Sequence, residues 1–424
     1  MQVHEPRAAQ RAICIAALPD GDDLDELKEL LRTAGVAVVG ELIQHREAPH
    51  PNTYLGTGKV EELKEMVKRL DANVVACDDE LTPRQERNLE SALEKIPVVD
   101  RTATILDIFA EHAHSSEGKL QVELAQLEYN LARMRGLWTH LERLGGVSSG
   151  GFATRGPGES QIETDRRLAR DRIAALKRRL KQVQGSRATM RAERERAHLP
   201  QVALAGYTNA GKSTLLNKLT GADVGVRDRL FHTLDPTTRL ARFHGRQYLL
   251  TDTVGFIRKL PHQLVEAFGA TLEETRLADL ILHVVDASAE EEDRMGMMRA
   301  VDDVLENIGA GDRPRVLVLN KIDALDEQQR SEIAHRHRGA VMVSAVTGEG
   351  LDELADRVEE SFKATMRPME LLLPYKEGKL LAELHDVAGE MEREDTAEGV
   401  RVKALVPASS VRFFERFSSN GQPA

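Results

Sequence analysis

One stretch constrains this chain more than any other. At 201–219 an apolar run, QVALAG, leads into GYTNAGKST and straight on to the amphipathic LLNKL. Strand, glycine loop and helix in that order form the setting in which backbone can wrap a phosphate chain. Gly206 and Gly211 let the backbone curl so that successive N–H groups point inward at phosphate oxygens. The helix that follows adds its positive N-terminal end. Lys212 can reach β- and γ-phosphates and Ser213 can offer a hydroxyl to Mg²⁺. Tyr207, Thr208, Asn209, Ala210 and Thr214 complete the candidate cradle. The fold this demands is α/β, a mixed, mostly parallel, doubly wound sheet with the loop at the end of a strand.

Three further motifs follow in order. In LLTDTVGF an apolar run ends in Asp252, with Thr253, Val254 and Gly255 behind it. The Asp252 carboxylate can hold Mg²⁺ through water, and the Gly255 N–H can sense a γ-phosphate. In RVLVLNKID an apolar strand delivers Asn320, Lys321, Ile322 and Asp323. A carboxylate at Asp323 accepts from the N1–H and 2-amino group of guanine. Adenine lacks that donor pair, so it would leave the carboxylate unpaired, and the pattern selects GTP over ATP. In AVMVSAVTG, Ser344 and Ala345 are expected to end the last strand, with the Ala345 N–H meeting guanine O6 and Val346 beside it. Between the first two motifs lies RLFHTLDPTTRLARF, where a threonine should close onto Mg²⁺ when GTP is present. Thr233, Thr237 and Thr238 compete for that role. Phe256 follows Gly255 where many GTPases carry a water-orienting Gln, so intrinsic hydrolysis should be slow.

Around this segment the chain divides into four pieces. Residues 1–115 alternate short apolar runs with helical patterns, the rhythm of a small α/β domain. Residues 116–198 carry leucines on a heptad seam: Leu120, Leu124, Leu127, Leu131, Met134, Trp138 and Leu141. Ala169, Ile173, Leu176, Leu180 and Val183 repeat it after a Gly-rich break at 145–158. This predicts an antiparallel helical hairpin with a long tip. Residues 199–366 form the nucleotide domain. Residues 367–424 read strand, helix, strand, strand, helix, a small α+β domain.

Composition narrows the function classes. With 41% apolar and 30% charged residues, a disordered chain is excluded. No window offers the ~20 apolar residues of a membrane span, so stable membrane insertion is not expected. Cys14 and Cys77 stand alone, which fits a reducing cytoplasm. The net charge is −11, yet 160–198 holds about twelve Lys/Arg against five Asp/Glu. Arg166, Arg170, Lys177 and Arg178 on that segment, with Arg155 at the tip, are candidate RNA contacts. A solvated helix face is the competing interpretation.

Taken together, the sequence resembles the HflX GTPases, within the wider Obg-HflX-like group of P-loop GTPases. The resemblance rests on YLGTGKVEEL at 54–63, DDELTPRQERNLE at 78–90, DRTATILDIFAEHA at 100–113, EGKLQVELAQLEYNLAR at 117–133 and GPGESQIETDRR at 156–167. GYTNAGKST, FHTLDPTTR, DTVGF and NKID complete it. Two residues depart from the family's habit, His232 where Ala is common and Ala132 where Pro is common. The resemblance implies that the switch segment is Phe231, His232, Thr233, Leu234 and Asp235, with Thr233 as the Mg²⁺ ligand. With Lys212 and Gly255, Thr233 is then a candidate catalytic residue; Asn209 is a candidate K⁺ ligand beside Mg²⁺, as in related GTPases with Asn at this place, the alternative being a hydrogen bond within the loop. The resemblance also implies a monomer that binds GTP and GDP, docks on the large ribosomal subunit and its RNA, and splits stalled or idle ribosomes. The alternative function is a GTP-timed regulator of a protein or membrane partner, peripheral at the membrane in the latter case.

Overall fold

The computed structural model describes residues 10–18, 23–134, 161–196, 199–221, 230–231, 236–259, 269–388, 391–407 and 410–418. Two compact units divide the chain. One comprises Met1–Val183 and Lys259–Phe268, the other Gln184–Arg258 and Gly269–Ala424.

The first unit is built on β1 (Arg11–Leu18), whose sequence RAICIAAL is apolar on both faces. Such a strand belongs inside a parallel sheet covered on both sides. It pairs in parallel with β2 (Ala37–His45) and β3 (Val74–Cys77), and β4 (Val98–Asp100) extends the sheet in the order β2-β1-β3-β4. Alternate β1 side chains feed two cores. Ile13, Ile15 and Ala17 meet Val60, Leu63 and Val67 of α2 (Thr57–Leu70) and Leu89 of α3 (Pro83–Ala92). Cys14, Ala16 and Leu18 meet Leu27 and Leu31 of α1 (Asp25–Thr33).

The helices start where their caps dictate. Thr82 and Gln85 form a capping box before α3, with Pro83 at its first position. Asp100 caps α4 (Arg101–His112) by accepting from the Ala103 N–H. Neither α3 nor α4 stands out in the apolar pattern of the sequence. Arg101 is buried and paired with Asp78 and Glu26, and Lys259 reaches Asp78 at 3.0 Å and Asp79 at 2.5 Å.

Part of the predicted seam forms. Leu120, Leu124 and Leu127 of α5 (Ser116–Arg133) pack with Ile173, Leu176 and Leu180 of α6 (Gln161–Arg196). Trp138, Leu141 and the tip at 145–158 lie outside the described residues.

In the second unit six strands run in the order β10-β9-β8-β5-β7-β6. They are β5 (Gln201–Gly206), β6 (Thr237–Phe243), β7 (Arg246–Asp252), β8 (Leu280–Asp286), β9 (Arg315–Asn320) and β10 (Val341–Met342). Only β6 is antiparallel to its neighbour, so the sheet is mixed and mostly parallel, as expected. The helices are α7 (Lys212–Thr220), α8 (Gly269–Leu277), α9 (Glu291–Asn307), α10 (Glu327–Arg336) and α11 (Leu351–Thr365). Leu215 and Leu216 of α7 and Leu354, Val358 and Phe362 of α11 pack against β5, β7, β8 and β9. Behind it, β11 (Met366–Leu373), β12 (Met391–Thr396) and β13 (Gly399–Pro407) form an antiparallel sheet in the order β11-β13-β12. Leu380 and Leu384 of α12 (Gly378–Val387) cover it, with Phe414 of α13 (Val411–Phe414) in the same core.

β8 carries a histidine at its centre. His283 lies between Ala205 and Leu317 in the register, and burial pushes its pKa down to about 4. Nearby Arg315 and Lys212 push the same way and Asp302 opposes them. The folded pKa is below the ordinary 6.5, so the unfolded chain binds a proton that the folded chain refuses. This contribution to stability is complete above pH 6.5 and is lost as pH falls towards 4. Its slope is up to about 1.4 kcal/mol per pH unit. Urea midpoints between about pH 7 and about pH 5 should therefore fall further for the wild type than for His283→Leu. Equal falls would contradict a neutral buried imidazole.

Candidate nucleotide site

The second unit gathers the four sequence motifs at the C-terminal ends of its strands. β5 stops at Gly206 because the chain must turn. Asn209 and Gly211 adopt the left-handed region, φ 60° and 89°, and α7 starts at Lys212. Lys212 is only 6% exposed, and its Nζ donates to the carbonyls of Gly206 at 3.0 Å and Tyr207 at 2.8 Å. Burial lowers its pKa to about 8, opposed by Asp252. The ammonium therefore sits folded against the loop, close to where a phosphate chain would need charge.

Ser213 and Asp252 converge although they are far apart in sequence. Ser213 Oγ donates to Asp252 Oδ2 at 2.5 Å. A hydroxyl and a carboxylate oxygen so close are two hard oxygen donors, the set that suits Mg²⁺. No cluster of three or more His, Cys, Asp or Glu suited to a metal occurs among the described residues. Any metal here therefore needs phosphate and water oxygens as well. That fits Mg²⁺, which keeps most of its water and leans on substrate phosphates.

The segment after Asp252 lies along the phosphate loop. Thr208 N–H donates to Phe256 C=O at 2.7 Å, and Phe256 N–H donates to Gly206 C=O at 3.1 Å. The Phe256 ring is fully buried. It is tied down as a core side chain, and the Tyr207 hydroxyl accepts from the Arg258 N–H at 2.7 Å nearby. Thr253 Oγ1 donates to Leu204 C=O, so that hydroxyl faces the sheet. Thr214 lies in the first turn of α7, half-buried.

At the base end, Asn320 is 1% exposed and acts as a bracket. Its Nδ2 donates to Ala210 C=O at 2.9 Å, and its Oδ1 accepts from the Ala345 N–H at 3.0 Å. The Ala345 amide, expected to meet guanine O6, donates to Asn320 in this structure. Ser344 and Ala345, expected to end the last strand, do not do so. β10 stops at Met342 and both residues sit in the turn beyond, closed by Ser344 N–H donating to Glu349 C=O. Ser344 Oγ donates to Asp323 Oδ1 at 2.5 Å and accepts from Thr347 N–H at 3.1 Å, which fixes the carboxylate. Lys321, at φ 65°, pairs with Asp286 at 2.7 Å and follows the strand end. Ile322 is buried, whereas Val346 is 69% exposed.

Phe231 is described and buried, while His232, Thr233, Leu234 and Asp235 lie outside the described residues. Thr237 and Thr238 belong to the β6–β7 ladder. Thr237 is opposite Asp252, and Thr238 Oγ1 is 3.0 Å from Thr251 Oγ1.

The basic segment is less open than its sequence suggests. Lys177 Nζ pairs with Glu128 of α5 at 2.7 Å and Arg172 pairs with Glu123 at 2.6 Å. Arg170 and Arg178 are exposed and Arg166 is half-buried, while Arg155 is outside the described residues. No helix among the described residues is long and apolar enough to cross a membrane.

Comparisons with known proteins agree with this geometry. Sequence profiles described as "GTP-binding GTPase N-terminal", "GTP-binding GTPase Middle Region", "50S ribosome-binding GTPase" and "HflX C-terminal domain" match residues 21–110, 112–194, 201–321 and 330–422. The GTPase HflX of Lacrimispora saccharolytica is 47% identical over 412 residues, covering 95% of each chain. That of Escherichia coli K12 is 45% identical over 392 residues, covering 91% of this chain and 90% of its own. With its phosphate loop and guanine-type motif in place and likeness along nearly its whole length, the chain belongs to the HflX family of GTPases.

Proposed function

We propose that this GTPase docks on the large ribosomal subunit in its GTP form and splits stalled or idle ribosomes. The observation that carries the docking is the match of residues 201–321 to a profile described as a 50S ribosome-binding GTPase. The exposed Arg170 and Arg178 on α6, with Arg166, are the RNA contacts in this proposal. Lys177, held by Glu128, contributes less than its charge suggests.

Hydrolysis follows from the site. Lys212 and the loop amides hold the phosphates, Gly255 N–H meets the γ-phosphate, and Asp323 reads guanine. Ser213 and Asp252 would hold Mg²⁺, which neutralises charge on the phosphates when bound. Thr233 is the switch ligand. Thr237 and Thr238 are committed to the β6–β7 ladder, which favours it. Asn209 is the K⁺ ligand, and the ion supplies charge stabilisation that partly offsets the water-orienting group missing at the buried Phe256.

The test is sedimentation with large subunits in a non-hydrolysable GTP analogue, paired with turnover in KCl and NaCl at equal ionic strength. Binding should weaken with added salt and drop on changing Arg166, Arg170 and Arg178 to Glu. Turnover should rise sharply on the subunit and prefer KCl, a preference that Asn209→Ser removes. If the protein stays in the supernatant, the ribosomal function fails and the regulator of another partner takes its place. If wild type shows no preference for potassium, the K⁺ site fails alone.

A further inference from the structure

The phosphate loop holds a hydroxyl that the motif reading leaves without a task. Thr208 is 7% exposed, and its Oγ1 is buried with no hydrogen-bond partner among the described residues. A buried polar atom left this way is destabilising, so the site suits a bound ligand that would satisfy it. The neighbours of Thr208 say where that partner would be. A Cβ placed on Gly255 would lie 2.7 Å from the Thr208 methyl carbon, 2.8 Å from its Cα and 3.2 Å from Lys212 Nζ. A side chain on Gly255 would therefore clash with Thr208 and crowd the lysine, so only glycine fits beside them. Both Gly255 and Lys212 are assigned to the γ-phosphate end of the nucleotide, so the Thr208 side chain belongs to that end as well. The Thr208 backbone is fixed by its bond to Phe256 C=O at 2.7 Å. Phe256 itself, with its ring buried, offers that end no polar side-chain atom.

We propose that the Thr208 hydroxyl hydrogen-bonds the γ-phosphoryl group as it passes to water, and so supplies a catalytic contact that Phe256 cannot. Water forms the new bond to Pγ and the bond from Pγ to the β–γ bridging oxygen breaks. GDP leaves with that electron pair, and the water proton ends on inorganic phosphate. Thr208 neither gains nor loses a proton. Losing a contact made mainly in the transition state lowers kcat and leaves ground-state binding nearly unchanged.

This inference rests on the GTPase reading of the same site, and the assay separates the two. Thr208→Val keeps the shape and the methyl that touches Gly255 but loses the hydroxyl. Thr208→Ser keeps the hydroxyl. Wild-type turnover and binding of fluorescent GDP and of a non-hydrolysable GTP analogue are measured alongside, and a wild type that binds neither nucleotide would sink the GTPase reading itself. Thr208→Val should lose about tenfold or more in kcat, with both dissociation constants within about twofold of wild type, and Thr208→Ser should recover most of the rate. The GDP complex with aluminium fluoride, a mimic of the transferring phosphoryl group, should form in wild type and Thr208→Ser and fail in Thr208→Val. Wild-type kcat in Thr208→Val would overturn the proposal. So would a Thr208→Ser variant as slow as Thr208→Val, which would assign the effect to packing of the methyl.

Discussion

Asp323→Asn should weaken GTP binding by about a thousandfold (~4 kcal/mol for two charge-assisted hydrogen bonds) and improve xanthosine triphosphate binding. The carboxylate accepts from two guanine donors at once. An amide turns one acceptor into a donor, which meets a guanine donor head-on but suits the extra carbonyl of xanthine. The structure adds a reason for the effect to be large. Ser344 Oγ holds Asp323 Oδ1 at 2.5 Å, so the side chain cannot swing away to relieve the mismatch. Titration with fluorescent analogues of the guanine, xanthine and adenine nucleotides measures this. Equal affinity of the wild type for ATP and GTP would remove Asp323 from base recognition.

The second large effect is at Gly206, where β5 must run close to β8. Gly206 is in register with Val284, and a Cβ built on it would lie 2.2 Å from the Val284 carbonyl oxygen. That oxygen is sheet backbone and cannot move aside without opening the parallel pairing. Gly206 C=O also accepts from Lys212 Nζ and Phe256 N–H, so a displaced Gly206 takes the lysine and the γ-phosphate segment with it. Gly206→Ala should cost about 3 kcal/mol or more in stability and at least about a hundredfold in GTP affinity. Gly296→Ala is the matched control. It sits inside α9 with nothing within 4 Å of the added methyl, and should stabilise by about 0.5–1 kcal/mol. Urea unfolding and nucleotide titration of the two variants decide it. A Gly206→Ala protein as stable and as avid as wild type would mean that the loop tolerates a wider approach of β5 to β8.

What the sequence determined by itself is local. Strand, glycine loop and helix at 201–219, the heptad leucines of α5 and α6, and the apolar run 12–18 of β1 are encoded by spacings of a few residues. Those periodicities survive any tertiary context that buries one face or both. The tertiary structure decided how polar groups far apart in the chain are paired. Asn320 reads in sequence as part of a base-recognition motif. Folding makes it a buried bracket between Ala210 and Ala345, 110 and 25 residues away. Lys177 reads as an RNA contact, yet the packing of α5 on α6 brings Glu128 within 2.7 Å of it. Thr208 reads as one more loop residue, and only its burial in the folded loop leaves its hydroxyl without a partner among the described residues. The physical reason is common to all three. A hydrogen bond or ion pair acts over about 3 Å and depends on direction, so it cannot be read until the backbone has brought its two ends together. An apolar face needs only to be on the right side of its own element.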